Sequence, residues 1–310
     1  MHNREHIDYV NTYVSMCLCG QVDSKMQLTN YHKNIIDYYA ESENAYKDSW
    51  DLNNSLAIHY GYWDEKVKSF PQSLLRMNEI MAEAAMIKPS DMILDAGCGI
   101  GGSSIFLAEK IGCNVTGISL SEKQIIKAKE FAKQKGVNGK TNFEVMNYCT
   151  TSFPDKSFEV VWGCESICYA DDKEQFIKEA YRLLKPGGRL VVADGFVADF
   201  KNNDHPTIRN WLDGWQVNYL ESPQRFQQFM KEAGFENILL KDISKFTVHS
   251  SKRLYKFYFL ANLYLLWKTI TFSNRATEMQ KKNIAACKYQ YHGTKKHLWM
   301  YGLIVGTKPL

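Results

Sequence analysis

The run Asp91-Met92-Ile93-Leu94-Asp95-Ala96-Gly97-Cys98-Gly99-Ile100-Gly101-Gly102 constrains the fold more than any other stretch of this 310-residue chain. An apolar strand, Met92 to Leu94, ends in the carboxylate Asp95. Four glycines follow, and then the helical run Ser103 to Ile111. Glycine adopts positive φ cheaply and lets a ligand approach the backbone closely. A strand, a glycine-rich turn and a helix N-terminus in that order form a nucleotide site of the Rossmann kind. A turn that only packs helix on sheet is the plain alternative, and the downstream context favours a site.

The glycines do not say which nucleotide. Dinucleotide folds hold a pyrophosphate on loop amides and a helix N-terminus. Asp95 would repel that group. A carboxylate at this strand end suits a ligand with a cationic group, and S-adenosylmethionine carries an ammonium and a sulfonium but no phosphate.

Around this loop the pattern alternates. Helices are predicted over 71–86, 103–111, 121–135 and 172–184, and strands over 92–95, 114–118, 141–146, 158–162 and 189–194. Ser121 and Asp171-Asp172 stand where N-caps belong. Lys185-Pro186-Gly187-Gly188 ends a helix and turns the chain toward the next strand. Strands alternating with helices predict an α/β, doubly wound, mostly parallel sheet. Beyond it the pattern predicts a helix over 222–233, a strand near 236–243, helices over 249–270 and 275–290, and a last strand over 298–306. The first 35 or so residues read as a polar helical arm.

Composition narrows the class. Hydrophobic residues make up 45% and charged residues 23%, ordinary for a soluble globular protein. No secretory signal is visible, and no apolar run reaches the roughly 18 residues of a membrane helix. Eight cysteines are scattered, so a reduced, cytoplasmic chain is expected. The pairs Cys17/Cys19 and Cys164/Cys168 lack the second pair or clustered histidines of a zinc site, and no metal is expected.

The net charge is +4, unevenly spread. From Lys241 to Leu310 there are 13 Lys and Arg against two acids, Asp242 and Glu278, so this tail carries +11 and the rest −7. The tail also holds 12 aromatic residues. Such a segment suits an anionic small molecule, a nucleic acid or a membrane surface, or simply a solvated basic face. The acidic body argues against a broad phosphate-binding surface, so neither a nucleic-acid partner nor stable membrane insertion is expected. A homo-oligomer stays open.

The stretch from Ile93 to Asp194, with Lys185-Pro186-Gly187-Gly188 before the fifth strand, resembles the class I S-adenosylmethionine-dependent methyltransferases. The resemblance implies a seven-stranded, Rossmann-like sheet with one antiparallel strand and a helical cap. It divides the chain into an arm and cap (1–70), a cofactor-binding core (71–200), and cap helices with the last two strands of the same sheet (201–310). It implies that Asp95, Gly97, Cys98 and Gly99 contact the methionyl part of the cofactor. Ser119 and Leu120 stand where the family usually has an acid for the ribose. A Ser hydroxyl offers less than a carboxylate, and Gln124, one turn on, adds contacts. Asn147 falls where the family often has an Asp toward the adenine amine, and Tyr148 beside it suits stacking on the purine.

After the fourth strand comes Trp162-Gly163-Cys164-Glu165-Ser166-Ile167-Cys168-Tyr169-Ala170-Asp171. It resembles the corresponding loop of tocopherol, sterol and prenyl diphosphate C-methyltransferases, with Glu165, Ser166, Tyr169 and Asp171 at the spacing of the last group. Methylating an alkene creates a carbocation, which a nearby carboxylate stabilises and can deprotonate. Aromatic faces add cation–π attraction. The segment Asn53 to Trp63, with His59-Tyr60-Gly61, resembles the cap over donor and acceptor in the same branches, and the Tyr38-Tyr39 pair precedes it as in several relatives.

The expected catalytic residues are therefore Glu165, His59 and Tyr169, with Tyr39 and Glu165 also at the cofactor. A histidine among aromatics also reads as ordinary packing. A prenyl diphosphate acceptor would use Lys252, Arg253 or Lys256 for its phosphates, and His249 and His292 lie in the same tail. The expected activity is methyl transfer to a hydrophobic small molecule, with carbon of an isoprenoid-like acceptor preferred. N- or O-methylation of an amine, phenol or polyketide is the alternative.

Overall fold

The computed structural model describes residues 28–50, 55–272 and 276–310. Cys17, Cys19, Asn53, Asn54 and most of the expected N-terminal arm lie outside the described residues. Helix α1 (Asn30–Trp50) and α2 (Phe70–Ala84) come first, followed by β1 (Met92–Ala96). Helix α3 runs from Gly102 to Phe106 and continues as a π-helical turn, Leu107–Ile111. Then come β2 (Asn114–Ser119), α4 (Glu122–Gln134), β3 (Thr141–Val145), β4 (Phe158–Cys164), α5 (Lys173–Leu183) and β5 (Leu184–Val197). The chain ends with α6 (Pro206–Gly214), α7 (Pro223–Ala233), β6 (Glu236–Asp242), α8 (Ser244–Phe272), α9 (Glu278–Lys295) and β7 (Trp299–Thr307).

The seven strands lie in the order β3-β2-β1-β4-β5-β7-β6. All neighbouring pairs are parallel except those of β7, which runs antiparallel to both β5 and β6. Connections from β1 wind one way, to β2 and β3. From β4 they wind the other way. The crevice at this reversal opens above the carboxyl ends of β1 and β4, where ligands bind in open α/β sheets. The strand ends at Asp95 and Glu165 flank it.

Successive strand residues face opposite sides, so β1 feeds two cores. Ile93 joins Val115, Val160 and Val191 under α2, α6, α8 and α9. Leu94 joins Ile118, Val161 and Leu190 under α5 and α7. Both predicted N-caps form: Ser121 Oγ accepts from Gln124 N, and Asp172 accepts from Gln175 N.

The departures that bear on the site are in β5 and α6, while α8 also starts five residues before the expected 249. Strand β5 begins five residues early, at Leu184. Between the pairs Phe158–Leu184 and Val160–Arg189, one residue of β4 faces four of β5. Lys185–Gly188 thus bulges out of the ladder with Gly187 at φ +76°, rather than standing before the strand. Helix α6 was not predicted. It is short, and its Asn, Trp and Asp residues are middling helix formers. Burial of Ile208, Trp211 and Leu212 stabilises it, and Gly214 lets it approach the backbone of α9 closely.

Candidate active site

Two cavities meet at the end of β4. The first, about 960 Å³, runs along the glycine loop and the ends of β1 and β2. The second, about 990 Å³, lies under α1, α6, α8 and α9. Tyr39, Ile58, Glu165 and Tyr169 line both.

The first cavity collects Asp95, Gly97, Cys98, Gly99, Ser119, Leu120, Gln124, Tyr148 and His59 from the sequence-predicted set. Gly97 sits at φ +90°, and a Cβ there would overlap Ser166; Gly99 sits at φ +54°, and a Cβ there would meet no protein atom within 4 Å. The loop is therefore tight on the sheet side and open on the cavity side.

Asp95 is buried and accepts a hydrogen bond from Ser104 Oγ at 2.6 Å. Among the described residues it has no ion-pair partner. Burial raises its pKa to about 6, opposed by the bonds from Ser104. A buried carboxylate without a cation fits a ligand ammonium. Ser119 Oγ donates to Gln124 Oε1 at 2.8 Å and accepts from Ser121 N, so hydroxyl and amide stand together where a ribose diol would dock. Tyr148 Oη donates to the Ser166 carbonyl at 2.8 Å, and its ring meets Phe176 edge-on. These features fit S-adenosylmethionine.

Asn147 is placed differently from the expectation. It is not among the lining residues, and its Oδ1 accepts from Cys149 N at 2.8 Å, closing its own turn. That bond holds the side chain in its own turn, away from the cavity lining.

Glu165 adopts φ +49°, a left-handed conformation costly for a non-glycine residue. Its N–H donates to the Ala193 carbonyl at 2.9 Å. Its Oε1 accepts from Tyr60 N and, at 2.6 Å, from Tyr301 Oη. Burial raises its pKa to about 8, and nearby Asp194 adds to the rise. Asp194, held by the amides of Cys168 and Gly195 at 2.9 and 2.8 Å, is itself raised by burial to about 6.

The cap segment docks over this carboxylate. Gly61 N donates to Ser250 Oγ at 2.9 Å, and Tyr60 Oη to Gln290 Oε1 at 2.9 Å. His59 Nδ1 lies 3.0 Å from the Tyr60 carbonyl, which only accepts, so Nδ1 carries the proton. Among the described residues His59 Nε2 is buried without a partner, and burial lowers the imidazole pKa. The ring is therefore neutral, with a lone pair on Nε2. Tyr169 Oη donates to the Trp215 carbonyl at 3.1 Å, and its ring lies 5.8 Å from Tyr39. His32 Nε2 lies 3.2 Å from Asp171, tying α1 to the same loop.

The second cavity is walled by rings, among them Tyr38, Tyr60, Trp211, Trp299 and Tyr301, and has no Lys or Arg among its described lining residues. Lys252, Arg253 and Lys256 line a separate surface hollow with His249, and Arg253 stacks over Phe70 at 4.0 Å. The described residues of the basic tail thus do not supply cations to this cavity. His292 packs against Tyr255 and lines neither cavity.

Sequence reasoning missed Tyr301, Asp194 and Lys173. Lys173 is buried at the start of α5 and donates to the carbonyls of Cys168 and Ala170, both at 2.9 Å, fixing the loop after Glu165. Desolvation lowers its pKa to about 8. No pattern in the sequence marks a first-turn lysine as buried, or a tyrosine on the last strand as facing the fourth.

A family profile described as a methyltransferase domain matches residues 94–192. The 27-O-demethylrifamycin SV methyltransferase of Amycolatopsis mediterranei is 32% identical over 206 residues, 66% of this chain and 75% of that protein. The 2-methyl-6-phytyl-1,4-hydroquinone methyltransferase of Synechocystis sp. is 37% identical over 207 residues, 62% of this chain and 64% of the relative. Geranyl diphosphate C-methyltransferase from Streptomyces coelicolor, solved with S-adenosyl-L-homocysteine, superposes with a TM-score of 0.70 over 90% of this chain and 98% of that one, at 19% identity. A cationic-ligand cleft at the switch point of this seven-stranded sheet, together with these relatives, places the chain among the class I S-adenosylmethionine-dependent small-molecule methyltransferases, with S-adenosylmethionine as its cofactor.

Proposed function

We propose that the enzyme methylates a carbon of a neutral, hydrophobic, isoprenoid-like acceptor held in the second cavity. The observation that carries this reading is Glu165 at the junction of the cofactor cleft and an aromatic cavity with no Lys or Arg among its described lining residues. Asp95 and the Gly97–Gly99 loop hold the methionyl end, Ser119, Leu120 and Gln124 the ribose, and Tyr148 the purine. Tyr39 and Leu56–His59 close over the cofactor, while Glu165, Tyr169 and Asp194 join α1, α6, α8 and α9 around the acceptor.

The bound cofactor supplies an activated methyl group that leaves without its bonding electrons. An acceptor double bond provides the electron pair for the new carbon–carbon bond, which leaves a cation on the adjacent carbon. Ionised Glu165 stabilises that cation, and the rings of Tyr39, Tyr60 and Tyr169 add cation–π attraction of roughly 0.5–2 kcal/mol each. Loss of a neighbouring proton to the Glu165 carboxylate restores a neutral alkene. Without ligand, Glu165 holds a proton near neutral pH, because its pKa is about 8. A cation beside it favours ionisation.

The absence of Lys and Arg from the described lining residues argues against a diphosphate in this cavity, although that was one acceptor the basic tail suggested. The unpaired Nε2 of neutral His59 favours a second reading, proton removal from an acceptor hydroxyl before O-methylation. Incubation with labelled methyl donor and a panel of sterols, prenylated quinols, prenyl diphosphates and amines separates the readings. Label in a new C–CH3 group supports the first. Label only on oxygen or nitrogen overturns it.

A further inference from the structure

Helix α8 continues past the folded body with an apolar face that nothing in the catalytic reading uses. Leu260, Leu263, Tyr264, Leu266, Trp267 and Ile270 are each between 53% and 75% exposed. At about 100° per residue they share one arc of roughly 160°. The opposite arc holds Leu254 and Ala261, both buried. Contiguous exposure of this kind marks an interaction surface.

Lys252 and Lys256 lie on the same arc, one to two turns toward the body, and both are exposed. The helix contains five Lys or Arg and no Asp or Glu. One face thus carries ammonium groups first and apolar side chains beginning about 6 Å further along the axis. A bilayer has the same order, with phosphates outside and acyl chains within. The apolar stretch from Leu260 to Ile270 is about 15 Å long, half of a hydrocarbon core of about 30 Å. It suits insertion into one leaflet, and no described helix is long and apolar enough to cross a membrane.

We propose that this face of α8 docks on a bilayer surface carrying anionic headgroups. Phe257 lines both the acceptor cavity and the basic hollow beside this face, so docking brings the acceptor cavity close to the lipid. Delivery of the acceptor from the bilayer rests on the hydrophobic-acceptor reading above. The docking itself does not.

The test is sedimentation of the full chain, without any acceptor, with vesicles of phosphatidylcholine alone or with 30 mol% phosphatidylserine. Binding should be at least tenfold tighter to the anionic vesicles and should weaken as salt is raised. The double variants Leu263→Ser/Leu266→Ser and Lys252→Glu/Lys256→Glu should each weaken it at least tenfold, with cofactor affinity and melting temperature unchanged. Absence of sedimentation with either vesicle overturns the proposal. So does binding indifferent to lipid charge or to both variants, or a protein dimer that Leu263→Ser/Leu266→Ser dissociates. Because no acceptor is present, failure here leaves the acceptor reading standing, and the labelling experiment can fail without touching this result.

Discussion

The hydroxyl of Tyr301 and the carboxyl of Glu165 lie 2.6 Å apart, joining the last strand of the sheet to the turn after the fourth. The hydroxyl donates, so it favours the ionised carboxylate against the burial that opposes it. Tyr301→Phe removes that donor at nearly constant shape. Turnover should fall about tenfold, and the acidic limb of the pH–rate profile should move up, because Glu165 then ionises at higher pH. An unchanged profile would detach Tyr301 from the acceptor chemistry.

Glu165→Gln should lower turnover at least a hundredfold while cofactor affinity, measured by calorimetry, stays within about threefold. The expected loss reflects a charge removed from a dry site where a cation develops. Equal losses in affinity and turnover would assign Glu165 to cofactor binding alone.

The same carboxyl predicts a pH-dependent stability. Asp95 and Asp194 hold their protons to about pH 6 and Glu165 to about pH 8 in the ligand-free fold, whereas unfolded carboxyls release theirs near 4. The folded state therefore binds more protons over this window, and stability falls as pH rises through it. The ligand-free melting temperature should drop between pH 5 and pH 8. Glu165→Gln should flatten the upper part of that drop, and a flat wild-type curve would contradict the raised values.

Asp95→Asn should weaken S-adenosylmethionine binding by about tenfold or more, roughly 1.4 kcal/mol per decade. The neutral amide keeps a partner for Ser104 but offers no charge to the ligand ammonium. Calorimetry on the folded variant reads this directly, and affinity within twofold of wild type would place the ammonium elsewhere.

Gly97→Ala should destabilise the protein by about 1–3 kcal/mol, because a side chain at φ +90° is strained and its Cβ would overlap Ser166. Denaturant unfolding without cofactor measures this. Gly99→Ala, with no protein atom within 4 Å of its Cβ, should cost less stability and more cofactor affinity.

The cofactor half of the site was legible because it is local. Asp95 to Gly102 combine strand, turn and helix start within a dozen residues, and Ser119 and Tyr148 fall at ends of strands that periodicity already placed. Alternation gave a doubly wound, mostly parallel sheet, and the resemblance implied seven strands with one antiparallel; the strand order and the identity of β7 as that strand come from the structure. The acceptor half was less legible because it is assembled across long separations. Tyr60, Glu165, Asp194, Trp211 and Tyr301 come from five segments, and only packing brings them together. Helix α6, which supplies Trp211, depends on burial against α9 more than on its own propensity. Asn147 illustrates the converse: its position matched, but its side chain had a nearer use in its own turn.

The antiparallel β7 sits between β5 and β6 and pairs with both, which sets an order on synthesis. The glycine-loop cavity is complete in sequence by Tyr169, about 130 residues before Tyr301 leaves the ribosome. At 5–20 residues per second, that interval is roughly 7 to 26 seconds. During it, β6 has no partner strand and Glu165 lacks its tyrosine. The nascent chain can thus assemble a place for the methyl donor well before it has anywhere to send the methyl group.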